Sequence, residues 1–311
     1  MRKILVTAIS GNVSNGILQN LYEGEDIVYG CDIYDYPVGM DKVQEFWKSD
    51  LAVEDCYIEN LLKKCEEYDI THLIPVNEVE IEKISENREL FEKRNIKLLI
   101  QTENTIDTFL DKKKTIEFLE PYISRNLPRL YKKQEMIDGS NYLIKMRKSC
   151  GSKFVKVVSS KAELEKFNLE DGTYVIQEYL ENEQEEYTVG VFSDGNTIRT
   201  IIFKRKLEHG YTSFVELVQC REIENLAKEV AKILNLQGFI NIQLRKAGGE
   251  YKIFEINPRI SGTVRFRYLL GFDDVNWWLD LLDGKAQPEY FPRYKKAIGM
   301  RELREKFVIL E

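Results

Sequence analysis

Histidine, paired cysteine, long apolar runs and excess basic charge are all scarce in this chain of 311 residues, and each shortage removes a class of function. Histidine occurs only at His72 and His209, which leaves little room for histidine-based catalysis. His72 precedes a strand-like run and reads as structural. The cysteines, Cys31, Cys56, Cys65, Cys150 and Cys220, are odd in number, scattered and without a CxxC pair. That argues against a disulfide framework and a cysteine zinc site, and a reducing cytoplasm is the expected compartment. Cys150 has no visible histidine partner and reads as a small neutral residue. No apolar run approaches the roughly 20 residues of a membrane helix, so no membrane partner is expected. The apolar run at Ile4-Leu5-Val6 is too short for a secretory signal. Net charge is -7, whereas nucleic-acid binding wants a basic field, so no nucleic-acid partner is expected. A complete GxGxxG is missing as well: Gly11 and Gly16 stand alone in the first turn, which speaks against a dinucleotide oxidoreductase. No repeats and no low-complexity linker interrupt the chain.

What is present is a globular composition, 43% hydrophobic and 31% charged, with length enough for two or three domains' worth of core. Arg2 to Ala8 reads as a buried strand, followed by a polar glycine turn and a helix through Leu21. Strands at 26–31, 71–76 and 97–100 alternate with helices at 53–68 and 77–93, which predicts a small parallel-sheet domain. Residues 39–49 read as a loop with a short helix. Past Gln101 the alternation changes. A helix opening on Asp111-Lys112 is expected to end before Pro121. Hairpins follow at 142–158, 186–204 and 239–256, with helices at 161–167, 222–234 and 275–282. The residues after Lys285 are charged and are expected to trail over the surface. The change at Gln101 is the best domain boundary.

Candidate chemistry clusters near the end. In Tyr251-Lys252-Ile253-Phe254-Glu255-Ile256-Asn257-Pro258-Arg259, plain alternation sends Tyr251, Ile253 and Glu255 one way and Lys252, Phe254 and Ile256 the other. Glu255 and Asn257 then share a face, and a carboxylate beside an amide oxygen suits a hard cation with phosphates. Arg259 carries a fork that fits a phosphate. Asn241, Gln243 and Arg245 share one face of the preceding strand, and the return at Gly248-Gly249 brings Gln243 level with Glu255. Upstream, the turn after Lys145 (Lys148, Ser149, Gly151, Ser152, Lys153) combines small residues with lysines, a composition that lets backbone N–H groups approach phosphate oxygens. Glu178 and Glu186 each stand near one end of a β-rich run. A buried Glu178 would need a donor, which an adenine amino group or a ribose hydroxyl could supply.

Taken in order, these residues resemble the ATP-grasp superfamily, in its carbamoyl-phosphate-synthetase-like branch of stand-alone carboxylate–amine ligases. The likeness rests on Asp-Lys-Lys-Lys at 111–114, Lys145 before a Gly/Ser turn, Gln-Glu-Tyr-Leu at 177–180, Glu-Tyr-Thr-Val at 186–189, Gln243, and Glu-Ile-Asn-Pro-Arg-Ile-Ser-Gly at 255–262. It implies a Rossmann-like pre-ATP-grasp domain with a parallel sheet (1–101). An ATP-grasp fold with antiparallel sheets follows (102–285), divided into a lid near 121–180 and a C-terminal subdomain near 181–285, with a surface tail at 286–311. It further implies that Lys112 and Lys145 contact ATP phosphates, as do Ser149, Gly151 and Ser152 of the 148–153 loop, which would close over them. Glu178, Tyr179 and Leu180 would form the adenine hinge, and Glu186 would hold the ribose. Gln243, Glu255 and Asn257 would bind Mg²⁺, usually two ions, with Mn²⁺ as a substitute. Arg259 would act on the transferred phosphate, and Arg205 would match a phosphate- or substrate-loop arginine. Many relatives carry an acid where this chain has Gln243. The implied reaction joins a small carboxylate to an amine through an acyl-phosphate, in a protein that forms homodimers in many relatives. A phosphotransferase or carboxylase of the same superfamily, and a nucleotide-binding module without turnover, are the alternatives.

Overall fold

The computed structural model describes residues 1–148, 155–169, 171–181, 185–208 and 210–302. The chain opens with β1 (Lys3–Val6), α1 (Asn12–Leu21), β2 (Ile27–Asp32), β3 (Glu45–Lys48), α2 (Tyr57–Glu67), β4 (His72–Ile74), α3 (Glu78–Glu86), α4 (Arg88–Glu92) and β5 (Lys97–Leu98). These strands form one parallel sheet in the order β3-β2-β1-β4-β5. β1 is buried because its Ile-Leu-Val run is covered on both sides, as a parallel strand requires. β3 falls where a loop was expected: it is a short edge strand whose residues are all at least partly exposed, so it carries no apolar alternation to read.

The chain continues through α5 (Glu103–Phe109) and α6 (Lys112–Ile123). Asp111 caps α6 by accepting from the N–H groups of Lys113 and Lys114. The helix was expected to stop before Pro121 but runs through it. Pro121 lies in the last turn, and buried Leu119 and Ile123 anchor that turn in the core, which offsets the missing N–H.

Four strands then make a small antiparallel sheet in the order β6-β9-β7-β8: β6 (Leu130–Tyr131), β7 (Tyr142–Met146), β8 (Val155–Val158) and β9 (Tyr174–Glu178). Its inner face has a core of its own, built from Met136, Tyr142, Ile144, Val158, Leu164 and Ile176. The remaining elements are β10 (Glu186–Asp194), β11 (Ile198–Glu208), β12 (Tyr211–Val218), α7 (Arg221–Ile233), β13 (Gln237–Ala247), β14 (Glu250–Asn257), α8 (Val264–Leu269), α9 (Asp274–Leu282) and β15 (Ile298–Met300). Their sheet runs β14-β13-β10-β11-β12-β15. Within the tail, expected over the surface, Ile298–Met300 pairs with the β12 edge as β15.

The larger sheets share a core, in which Ile4, Val6 and Ile17 meet Phe192, Phe239, Val264 and Trp278. Buried Gln101 stitches the passage between them by donating to the carbonyls of Gln237 and Phe239. A deeper tie is Arg267, fully buried with Asp274 at 2.6 Å, whose guanidinium also donates to the hydroxyls of Ser261 and Thr263. Among the described residues no helix is long and apolar enough to cross a membrane.

Candidate active site

Two adjoining cavities border the large sheet, the first where the small antiparallel sheet faces it and the second where α1 and the start of α3 approach it. The first, about 300 Å³, is lined by Lys112, Lys145, Tyr179, Leu180, Glu186, Arg205, Gln243 and Glu255 among the expected residues. The second, about 210 Å³, holds Asn257 and Arg259 and shares Arg205, Leu207, Gln243 and Glu255 with the first. Two larger surface grooves, about 590 and 570 Å³, contain none of the expected residues.

Strand periodicity explains most of this convergence. In β7, Tyr142 and Ile144 fill the core of the small sheet, so Leu143 and Lys145 face the cavity. In β13, Ile240, Ile242 and Leu244 enter the main core, so Asn241, Gln243 and Arg245 face the cavities. β14 departs from the expected alternation. A bulge places Gln243 opposite Glu255 but Leu244 opposite Ile253, so β14 carries one extra residue, Phe254. Ile253 and Ile256 both reach the core, while Phe254 and Glu255 both line the first cavity. The same bulge presents the Phe254 carbonyl to Lys145, whose Nζ donates to it at 3.1 Å.

Lys145 is only 4% exposed. Burial pushes its ammonium down to about 7; nearby Glu255 opposes the shift, and Lys112 and Arg245 add to it. Glu186 is buried between two guanidiniums: Oε1 accepts from Arg205 at 2.8 and 2.9 Å, and Oε2 from Arg245 at 2.8 and 3.0 Å. Arg245 stands directly opposite Glu186 across β10 and β13. Arg205 also donates to Gln243 Oε1 at 2.5 Å. Four basic side chains and two carboxylates thus line the first cavity, a basic pocket in an acidic protein. Leu143, Val155, Val157, Leu180, Leu207 and Phe254 supply apolar wall beside these charges.

The expectation for Glu178 needs correction. Its carboxylate accepts from the Arg129 N–H and from Lys252 and is not part of the cavity wall. Its neighbour Gln177 lines the cavity instead; it is 1% exposed, and its Oε1 has no partner among the described residues. The backbone stretch at Tyr179 and Leu180 does border the cavity, and the Leu180 carbonyl accepts from Arg245. Arg259 is engaged by Glu78 at 2.7 and 3.2 Å. Ser149, Gly151 and Ser152 lie outside the described residues. Arg245, Gln177, Glu78 and Asn241 were not singled out as site residues. Arg245 and Asn241 were readable from the β13 alternation that exposed Gln243, whereas Gln177, though inside the Gln-Glu-Tyr-Leu run, and Glu78 show no alternation that points them at the cleft.

The oxygen donors fit a hard cation. Gln243 faces Glu255 across one strand pair, with Asn257 two residues on, which gives a carboxylate and amide oxygens and no sulfur or imidazole. In this arrangement Gln243 spends one lone pair on Arg205, leaving Glu255 as the charged donor of the group.

Solved structures share this architecture. An N5-carboxyaminoimidazole synthetase from Staphylococcus aureus, complexed with ADP, superposes with a TM-score of 0.76 at 15% identity over 97% of this chain and 82% of that one. An L-amino acid ligase from Bacillus licheniformis gives 0.69 at 15% identity, covering 91% and 74%. A biotin carboxylase from Campylobacter jejuni gives 0.70 at 16%, covering 93% and 72%. At such identities the likeness is one of fold. The parallel sheet followed by a cleft between two antiparallel sheets, with these residues in it, is thus an architecture shared with these structures. The particular family whose model matches, over residues 170–306, is described as ATP-grasp in the biosynthetic pathway with Ter operon.

Proposed function

We propose that the protein is an ATP- and Mg²⁺-dependent ligase that joins a small carboxylate to an amine through an acyl-phosphate, releasing ADP and phosphate. The observation that carries this reading is the shared wall of the two cavities. Gln243, Glu255 and Arg205 belong to both, so groups suited to cation and phosphate separate a nucleotide-sized compartment from a smaller one. A phosphoryl group passing between occupants of the two would cross at that wall.

In this reading the apolar sides of the first cavity receive the adenine, and the orphaned Gln177 carbonyl oxygen accepts from its amino group. Lys145 and Lys112 neutralise phosphate oxygens. Glu255, Asn257 and Gln243 would hold Mg²⁺, which screens phosphate charge when bound. For Glu186 to meet a ribose hydroxyl, one of its two guanidiniums must yield; Arg205, which also reaches Gln243, is the one placed to turn toward phosphate. Arg259 would trade Glu78 for the transferred phosphoryl group. The lid sheet has a separate core, so it can close as a unit and keep water from an acyl-phosphate. The likeness to a synthetase and a ligase supports C–N bond formation.

The test is phosphate release from ATP and Mg²⁺ with a matrix of carboxylic acids and amines. Release should require one of each, and Glu255→Ala and Asn257→Ala should abolish it or raise the Mg²⁺ requirement. Phosphate release with bicarbonate and no amine would point to the carboxylase alternative. Unchanged activity in both variants would overturn the metal assignment.

A further inference from the structure

The second cavity holds donors that the proposed phosphoryl transfer does not use. α1, ten residues long, begins at its edge: Asn12 and Val13 line the cavity, Gly11 provides no side-chain cap, and the first turn contains no acid. The positive end of a helix with unsatisfied N–H groups therefore borders the space. Asn241 lines the same cavity, is 1% exposed, and gives Oδ1 to the Thr188 hydroxyl, while its Nδ2 has no partner among the described residues. A buried amide donor of this kind calls for an acceptor.

The third donor comes from the far end of the chain. Arg301 directly follows β15, and its N–H donates to the Ser213 carbonyl of β12, which fixes its place on the cavity rim. Its guanidinium donates to the carbonyls of Thr212 at 3.1 Å and Gly262 at 2.8 Å and lies 5.5 Å from the Phe266 ring centre. Those acceptors are neutral. By contrast, Arg259 and Arg205 in the same cavity face the carboxylates of Glu78 and Glu186. Burial lowers the Arg301 pKa, opposed by Tyr211. The wall beside it is open, since a Cβ on Gly262 would meet nothing within 4 Å.

We propose that Arg301, with the Asn241 amide and the start of α1, binds a second anionic group of the acid substrate, distinct from the carboxylate that is activated. This rests on the ligase reading above and narrows its substrate to a diacid or a phosphorylated acid. β15 is then more than an edge strand: it delivers the specificity residue.

The test uses the full chain saturated with ADP and Mg²⁺. Succinate, inorganic phosphate and acetate are titrated calorimetrically into wild type, Arg301→Gln and Arg301→Lys. Succinate or phosphate should bind more tightly than acetate. Arg301→Gln should weaken that binding by roughly tenfold or more, and Arg301→Lys should recover part of it, while ADP affinity stays unchanged. The stronger probe separates a carboxylate from a phosphate site. Gly262→Asp provides a second variant: its carboxylate enters open space beside Arg301 and should block the anion without disturbing the fold. Equal binding to wild type and both blocking variants, or no preference over acetate, overturns the proposal while leaving the nucleotide site standing. Failure of wild type to bind ADP would instead sink the ligase reading itself.

Discussion

Arg259, two residues beyond β14, donates through Nε and Nη2 to a single oxygen of Glu78, the first residue of α3. The contact joins the parallel-sheet domain to the cleft and holds the arginine in readiness. Arg259→Ala should lower ATP-dependent phosphate release by about a hundredfold or more, the scale of a lost transition-state donor, with ADP affinity little changed. Glu78→Gln keeps the shape, loosens the hold and should have a smaller effect. Single-turnover phosphate release checks both, and an Arg259→Ala variant as fast as wild type removes the residue from the chemistry.

Lys145 titrates near neutrality, at about 7 against an ordinary 10.5. Its folded value lies below its unfolded one, so the folded chain binds fewer protons between the two. Its unfavourable contribution to folding is complete below about pH 7 and fades as pH rises toward the ordinary value. Nucleotide phosphates against Nζ would restore the charge. ADP binding near pH 8 should therefore take up about one proton, seen as a binding enthalpy that varies with the buffer's ionisation heat. Lys145→Met should remove that dependence. A buffer-independent enthalpy for wild type would exclude contact between Nζ and the phosphates.

Arg267 and Asp274 are both 0% exposed, and the guanidinium also rests 4.5 Å from the Phe239 ring centre. Removing one partner leaves a buried charge. Arg267→Met or Asp274→Asn should each cost about 3–5 kcal/mol in urea unfolding, while the double replacement Arg267→Met/Asp274→Leu should recover much of that loss. The singles should also reduce turnover, because the Ser261 and Thr263 hydroxyls that Arg267 holds set the loop after Arg259. Additive losses in the double variant would show that the pair is not a unit.

Much of the cleft was legible in the chain. The order Lys112, Lys145, Glu186, Gln243, Glu255, Asn257, Arg259 pointed to one fold, and the alternation of Phe239 to Arg245 put Gln243 on the working face. The bulge at Phe254 was not legible, because nothing in a run of strand-forming residues marks which one is left unpaired, yet it decides that Phe254 and Glu255 face the same way. Glu178 and Gln177 are equally plausible by composition; only the register of β9 against β7, with Leu143 opposite Gln177, turns the glutamine inward.

The sequence by itself determined what local chemistry can encode: a parallel architecture followed by an antiparallel one, strands whose buried faces follow their apolar residues, and a set of oxygen and nitrogen ligands in a recognisable order. Tertiary structure alone decided who meets whom. Glu186 lies between Arg205 and Arg245, Arg259 reaches Glu78, 181 residues away, and Arg301 is carried by β15 to the rim that α1 borders. Such pairings depend on strand order and on packing between distant elements, and a charged side chain's spacing along the chain says nothing of the partner that will balance it in a buried cleft.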